Sequence, residues 1–339
     1  MHATRNLAIT FPGQGCQSVG MGADVAAAFP EARAVFEAAD RALGLGLTDL
    51  AFEGPAEALN DTANTQPAIY AASMALWRAL ERRLDGIRER TAYIAGHSLG
   101  EFTALAVAGA LDLEDGLRLV RCRGEAMRDA GESAPGGMAA IIGLGDEVVG
   151  EILDETNDGR EAVWAANLNA PGQVVIAGEH EALERAMTLA EHRGARRAVR
   201  LEVSVACHTP LMEGAAERLA AALEATTFRR PWVPVVCNAL AMPVEDPDEI
   251  KAALIRQLTS PVRWVESVRA MVAGGVTAML EVGPRAVVSG LVKRIDGSVA
   301  LHAVTDRASL EGLVEALPGS IGYEAGWGKA LAVEAGASG

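Results

Sequence analysis

One stretch, Thr91–Leu111 (TAYIAGHSLGEFTALAVAGAL), constrains the fold more than any other. It opens on a short apolar run of strand length and closes on a longer apolar run of helical length. Between them, Gly96-His97-Ser98-Leu99-Gly100 fits G-x-S-x-G. A hydroxyl between glycines at a strand-to-helix junction is the pattern of a nucleophile elbow. So sharp a turn holds the serine in a strained backbone conformation. Glycines two residues either side remove the Cβ atoms that would strike the adjoining strand and helix. The turn pushes Oγ out of an α/β sheet and aims the first N–H groups of the helix at any anion forming beside it.

The rest of the chain supplies that sheet. Leu7–Phe11 reads as a first strand ending in Pro12-Gly13-Gln14-Gly15. Helical patterns follow around 20–43, 55–59 and 66–83, the last with Pro67 expected at its first position. After the elbow a helix runs to about Ala110, and Asp112 is expected to cap the next, 113–129. From 137 to 205 the pattern changes to β-α-β-β-α-β, the ferredoxin-like order. Its strands are expected at 138–144, 163–167, 173–177 and 199–205. Val199, Leu201, Val203 and Val205 alternate along the last of these. This unit reads as an insertion, after which the α/β pattern resumes, with strands at 232–237, 276–282 and 299–304. The expected division is 1–132 and 204–310 for a large subdomain, 133–203 for a small one, and a loosely held tail over 311–339.

A serine nucleophile needs a base, and histidine is the usual one. Of the six histidines, His97 adjoins the serine and is expected to brace the turn, while His2, His180 and His192 fall at a terminus or on helix surfaces. His302 lies mid-strand in VALHAVT, whereas His208 lies in VSVACHTPLM where a strand ends and a helix begins. Strand ends are where open α/β sheets place their chemistry, which favours His208. Cys207 raises a rival Cys–His pairing, but adjacent residues on a strand face opposite sides.

Bulk properties exclude several other classes. No apolar run is long enough to span a membrane, and the N-terminal residues lack a basic-then-apolar signal pattern. Cys16, Cys122, Cys207 and Cys237 form no C-x-x-C, and no H-E-x-x-H occurs. A metal site is therefore not expected, and a reducing, cytoplasmic setting is. The net charge of −15 argues against nucleic acid as a partner.

Seven blocks in order, FPGQGCQSVGMG, GHSLGEFTAL, LVRCRGEAM, NLNAPGQVVIAG, VSVACHTPLM, QLTSPVRW and EVGPRAVVSGLVKRI, resemble the malonyl-CoA:acyl carrier protein transacylases of fatty acid and polyketide synthesis. The resemblance spans about Leu7 to Ile295. It implies an α/β-hydrolase-like large subdomain with an inserted ferredoxin-like one, and malonyl transfer from coenzyme A to a carrier's phosphopantetheine thiol through an acyl-serine. The partners it implies are malonyl-CoA and an acyl carrier protein, with coenzyme A thioester as substrate and no bound cofactor. It further implies Ser98 as nucleophile and His208 as base, with the carbonyl of Gln257 orienting the histidine. The backbone N–H groups of Gln14 and Leu99 would form the oxyanion hole, and Arg123 would hold the malonyl carboxylate. Asn167 and Asn169 match a motif near the substrate groove. Helical periodicity does not separate Arg123 from Arg121; the family's arginine-before-glycine pattern does.

Val205-Ala206-Cys207-His208 matches neither usual specificity version, so substituted malonyl groups stay open, although Leu99 is of the malonyl type. An acyl hydrolase of the same fold is the nearest rival, and Arg123 argues against it. Carriers of this kind are acidic, so docking on so acidic a chain needs a basic patch. The densest, HRGARRAVR, makes Arg196 and Arg197 candidates, with Lys293 and Arg294 as a second lip.

Overall fold

A computed structural model describes residues 5–317 apart from Asp158, Arg160 and Ser204. Its strands are β1 (Leu7–Phe11), β2 (Thr91–Gly96), β3 (Gly136–Ile142), β4 (Val163–Ala170), β5 (Gln173–Glu179), β6 (Arg197–Arg200), β7 (Val235–Cys237), β8 (Met242–Val244), β9 (Ala278–Val282) and β10 (Ala300–Val304). Six form a sheet in the order β10-β9-β1-β2-β7-β8. All of its pairings are parallel except the return of β8 along β7. β1 lies inside this sheet and is wholly buried, which is why LAITF reads as a continuous apolar run rather than an alternation. Leu7, Ile9 and Phe11 join the main core on one face, while Ala8 packs with Ala95, Trp264 and Met279 on the other.

The second sheet has the order β4-β5-β3-β6 and is antiparallel throughout. The helices Asp146–Thr156 and His180–His192 cover one of its faces through Ile141, Val149, Ile152, Ile176 and Leu183. This is the ferredoxin-like arrangement, inserted between β2 and β7 of the larger sheet. Its opposite face carries Met138, Val175 and Ala177 and looks back toward the large sheet. β4 is tied to the large subdomain by Leu168 N–H donating to the Val262 carbonyl and Val262 N–H donating to that of Ala166, both at 2.9 Å.

Local signals misled at several points. The third expected helix starts earlier, at Thr62, and Pro67 lies inside it. Proline at that position deprives the Ala63 carbonyl of its helical donor, and Arg121 Nη1 supplies one at 3.1 Å. Asp112 sits at the N-terminus of the helix Leu113–Ser133 but makes no side-chain cap; its carboxylate pairs with Arg229 instead. The expected strand 199–205 is only β6, whose ladder ends at Arg200. Val199 is exposed on this edge strand; Leu201 N–H still donates to the Met138 carbonyl at 2.9 Å, and Leu201 and Val203 line a cavity. The pattern over 20–43 divides at Pro30 into Ala23–Ala28 and Pro30–Leu43. The start of the expected loose tail is ordered. Asp306 and Ser309 form a capping box on the helix Arg307–Ala316, which buries Leu310, and Leu317 beyond its end is buried too. Residues 318–339 lie outside the described residues, as does His2.

Candidate active site

β2 delivers the chain to the elbow. Ser98 adopts φ 50°, the left-handed region that a β-carbon disfavours. A Cβ on Gly96 would lie 1.9 Å from the carbonyl carbon of Gly100, and one on Gly100 would lie 2.3 Å from the Phe11 oxygen. The two glycines are thus required by close backbone approach. Asn238, just after β7, clamps the strained turn. Its Oδ1 accepts the Ser98 N–H at 2.6 Å and its Nδ2 donates to the Gly96 carbonyl at 2.7 Å.

Ser98 faces a cavity of about 620 Å³ between the two sheets, walled by Met138 and Val175 on the small one. His208 reaches it from the segment that follows β6, itself at φ 62°. Ser98 Oγ lies 2.8 Å from His208 Nε2, and His208 Nδ1 lies 2.8 Å from the Gln257 carbonyl. Burial, and then the charge of Arg123, pushes the His208 imidazole down to about 3. The resting ring is therefore neutral. A carbonyl can only accept, so Nδ1 carries the proton and Nε2 is left free to take one from Ser98. His302, the other candidate, sits in β10, three strands away from β2.

Arg123 comes from the buried face of the helix Leu113–Ser133 and is 1% exposed. Its Nη1 donates to Gln66 Oε1 at 2.9 Å, and its Nη2 to Ser98 Oγ and Gln257 Oε1, each at 3.1 Å. Its Nε has no partner among the described residues. Every partner is neutral, so burial pulls the guanidinium down to about 10, offset in part by Cys207 and Glu101. Arg121, two residues away, points elsewhere and pairs with Glu125 at 2.7 Å.

The N–H groups of Gln14 and Leu99 have no intramolecular acceptor among the described residues, and Gln14 lines the cavity. Asn167 and Asn169 line it too, and Asn169 Oδ1 lies 2.8 Å from His97 Nε2. His97 also packs on Trp264, with ring centroids 5.5 Å apart, so it braces the turn while forming part of the cavity wall. Cys207 lines the cavity as well, but burial pushes its thiol up to about 11 and the thiol donates to the Val205 carbonyl. Arg196 and Arg197 are exposed on the small subdomain and do not line the cavity. Their neighbours Arg193 and Arg200 are engaged by Glu151, Glu155 and Glu184. In the second lip, Arg294 is bonded to Gln173 and Pro171.

Three residues of this network escaped the sequence reading: Gln66, Glu101 and Asn238. Gln66 stands beside Pro67, where the sequence pattern predicts only a helix start. Glu101 follows the elbow on an apolar helix and is fully buried. Burial pushes its carboxyl up, while donors from Asn238 and Gln257 and the charge of Arg123 act the other way. No group of three or more His, Cys, Asp or Glu among the described residues could hold a metal ion. No helix among them is long and apolar enough to cross a membrane.

Fold and site together define an acyl-transfer enzyme built on a nucleophile elbow. Residues 9–308 match the acyl transferase domain family. A malonyl CoA-acyl carrier protein transacylase of Escherichia coli O157:H7 is 48% identical over 288 residues, covering 85% of this chain and 92% of that protein. An acyl-carrier-protein S-malonyltransferase of known structure from Bartonella henselae superposes with a TM-score of 0.88 at 41% identity, covering 92% and 99% of the two chains. A malonyl-transacylase solved in complex with its type II polyketide synthase acyl-carrier protein does so with a TM-score of 0.88 at 44% identity, covering 91% and 99%. The chain belongs to the acyl transferase domain family and, within it, to the malonyl CoA-acyl carrier protein transacylases.

Proposed function

We propose that the protein moves a malonyl group from coenzyme A to the phosphopantetheine thiol of an acyl carrier protein, with malonyl-Ser98 as the intermediate. The observation that carries this reading is Arg123, a buried guanidinium with no carboxylate partner, 3.1 Å from the nucleophile. A planar fork at that distance suits an acyl group that ends in a carboxylate of its own. Truncating one partner of such a buried pair costs about 3–5 kcal/mol, enough to separate malonyl from acetyl.

In the first half-reaction His208 Nε2 takes the Ser98 proton as Oγ attacks the thioester carbonyl. The oxyanion forms against the N–H groups of Leu99 and Gln14, where one donor is worth roughly 2.7–4 kcal/mol. The tetrahedral adduct collapses with release of the coenzyme A sulfur, which leaves as the thiol with the proton from His208. In the second, the carrier thiol gives its proton to His208 and attacks the ester, and Ser98 is restored with that proton. The sequence uses no cofactor and consumes no redox equivalents. The proposed setting is the cytoplasm. Residues 133–203 serve as the small subdomain, with 1–132 and 204–310 as the large one.

Arg196 and Arg197 are offered as a carrier dock. Both are exposed, and neither makes an ion pair among the described residues. They lead through Arg200 into the cavity-lining residues Leu201 and Val203. Intact mass after mixing with malonyl-CoA, with and without carrier protein, tests the reading. A malonyl adduct on Ser98 that survives alone and is discharged by carrier is expected. Release of free malonate without carrier would instead make the protein a hydrolase.

A further inference from the structure

Glu101 lies three residues beyond the nucleophile and is fully buried. Two donors converge on one of its oxygens: Oε2 accepts the Asn238 N–H at 3.0 Å and Gln257 Nε2 at 2.7 Å. These two residues hold the reacting groups. Asn238 clamps the backbone on both sides of the elbow. Gln257 orients His208 through its carbonyl, and its Nε2 also donates to the Ser98 carbonyl at 3.1 Å. The far end of the same amide, Oε1, accepts from Arg123. The Gln257 amide therefore lies head to tail between a carboxylate and a guanidinium. This is the only sense in which both ends of the amide are satisfied.

The charge count around Ser98 is otherwise one-sided. Arg123 has only neutral hydrogen-bond partners. Once bound, the malonyl carboxylate answers that charge, and proton transfer from Ser98 then adds a further cation, the His208 imidazolium, beside it. Arg123 and His208 are both buried, and one substrate carboxylate does not offset two buried cations, so a further anion nearby favours that step. Burial favours the neutral carboxyl of Glu101, whereas the two donors on Oε2 and Arg123 across the Gln257 amide favour its charge.

We propose that Glu101 is a positioning residue for the transfer reaction: its negative charge balances Arg123 across the Gln257 amide and supports the imidazolium that forms on His208. The inference rests on Ser98 and His208 being the reacting pair. It gives Glu101 two separable contributions. As an acceptor it fixes Asn238 and Gln257, and a glutamine side chain can do that as well. As a charge it favours the protonated histidine, and a glutamine cannot.

Single-turnover loading of Ser98 from malonyl-CoA separates the two in the full-length protein. Glu101→Gln keeps the shape and an acceptor oxygen, and should lower the maximal loading rate at least tenfold. The half-saturating malonyl-CoA concentration should not rise, because Glu101 does not touch the groups of Arg123 that face the substrate and its loss removes a negative charge near the malonyl carboxylate. Glu101→Asp keeps the charge at a poorer distance and should retain more of the rate than Glu101→Gln. A purely structural carboxylate gives the reverse order, with Glu101→Gln near wild type, and that result overturns the proposal. So does a Glu101→Gln defect confined to the half-saturating concentration.

Thermal unfolding supplies a second arm. Glu101→Gln and Arg123→Gln each strand one buried charge, so the double variant should be at least as stable as the weaker single. Additive losses, or a double variant that does not fold, count against the pairing. Wild-type protein that never acquires malonyl on Ser98 sinks the acyl-enzyme reading. Normal wild-type loading with an unaffected Glu101→Gln sinks only the role of Glu101.

Discussion

Replacing His208 by asparagine removes the titrating ring while keeping a residue type that tolerates the left-handed φ of 62° found there. In the folded protein the imidazole is pushed from its ordinary 6.5 down to about 3, first by burial and then by Arg123. The unfolded chain regains the ordinary value. As pH falls below about 6.5 the unfolded state binds a proton that the folded state refuses, so stability is lost with acid until the folded value is reached. At about pH 5 the unfolded ring is almost fully protonated and the folded one is not. The penalty is then RT ln(1 + 10^(6.5 − 5)), about 2 kcal/mol, against less than ~0.1 kcal/mol at about pH 7.5. The result barely depends on where below about 4 the folded value lies. Urea unfolding of both proteins at several pH values measures it. The stability difference between them should move by about 2 kcal/mol in favour of His208→Asn on going from about pH 7.5 to about pH 5. His97 is also pushed down by burial, but it is present in both proteins and cancels. A difference that stays flat over this range would mean that folded His208 takes up protons like a solvent-exposed histidine. The argument for a neutral resting base would then collapse.

Arg123→Ala should lower malonyl loading by at least about two orders of magnitude and narrow the gap to acetyl-CoA, as an orphaned charge of roughly 3–5 kcal/mol requires. Arg121→Ala should leave that ratio unchanged but lose about 1 kcal/mol of stability in denaturant, because it uncovers the Ala63 carbonyl freed by Pro67. Asn238→Ala removes two hydrogen bonds from the elbow and should reduce the maximal loading rate more than it raises the half-saturating concentration. Reversing Arg196 and Arg197 to glutamate should slow discharge to carrier most at low salt, with loading of Ser98 near normal. Equal loss in both half-reactions would remove that patch as a carrier dock.

What could be read from the chain alone was what is local. The elbow is legible because its chemistry, its glycines, the strand before it and the helix after it all fall within about twenty consecutive residues. The ferredoxin-like order is legible for the same reason, from the β-α-β-β-α-β succession over 137–205, although its last strand stops at Arg200. Arg123 was not separable by pattern from Arg121, since a buried arginine breaks the rule that polar residues mark the solvent face. Here the family resemblance was needed, and the hydrogen bonds to Gln66, Ser98 and Gln257 agree with it. Asn238 and Gln257 bond to the elbow across 140 and 159 positions of sequence; nothing near Asn238 marks the contact, and only the family resemblance brings Gln257 to the site, through its carbonyl. Pro67 misled because a local rule, proline at a helix start, lost to a distant compensation by Arg121. The alternation over 199–205 misled because it marks residues that meet an apolar wall, and Leu201 and Val203 meet one outside any strand.

Strain at the nucleophile is itself measurable, through two substitutions that both delete Oγ. Ser98 holds φ 50° with its N–H tied to Asn238. A β-carbon in the left-handed region costs about 1–2 kcal/mol, which Ser98→Ala keeps and Ser98→Gly relieves. Glycine in turn loses about 0.5–1 kcal/mol to the greater freedom of its unfolded chain. Both variants strand the same donor from Arg123 and leave His208 Nε2 without its partner, so those losses cancel in the comparison. At an ordinary position alanine is the more stable of the two; here the order should invert, with Ser98→Gly ahead by roughly 0.5–1 kcal/mol in urea unfolding. Neither variant can be loaded with malonyl, so the inversion is read without any contribution from chemistry. Alanine ahead of glycine would show that the elbow is relaxed. Asn238 would then be holding a turn that the backbone already prefers, and its deletion should leave the loading rate intact.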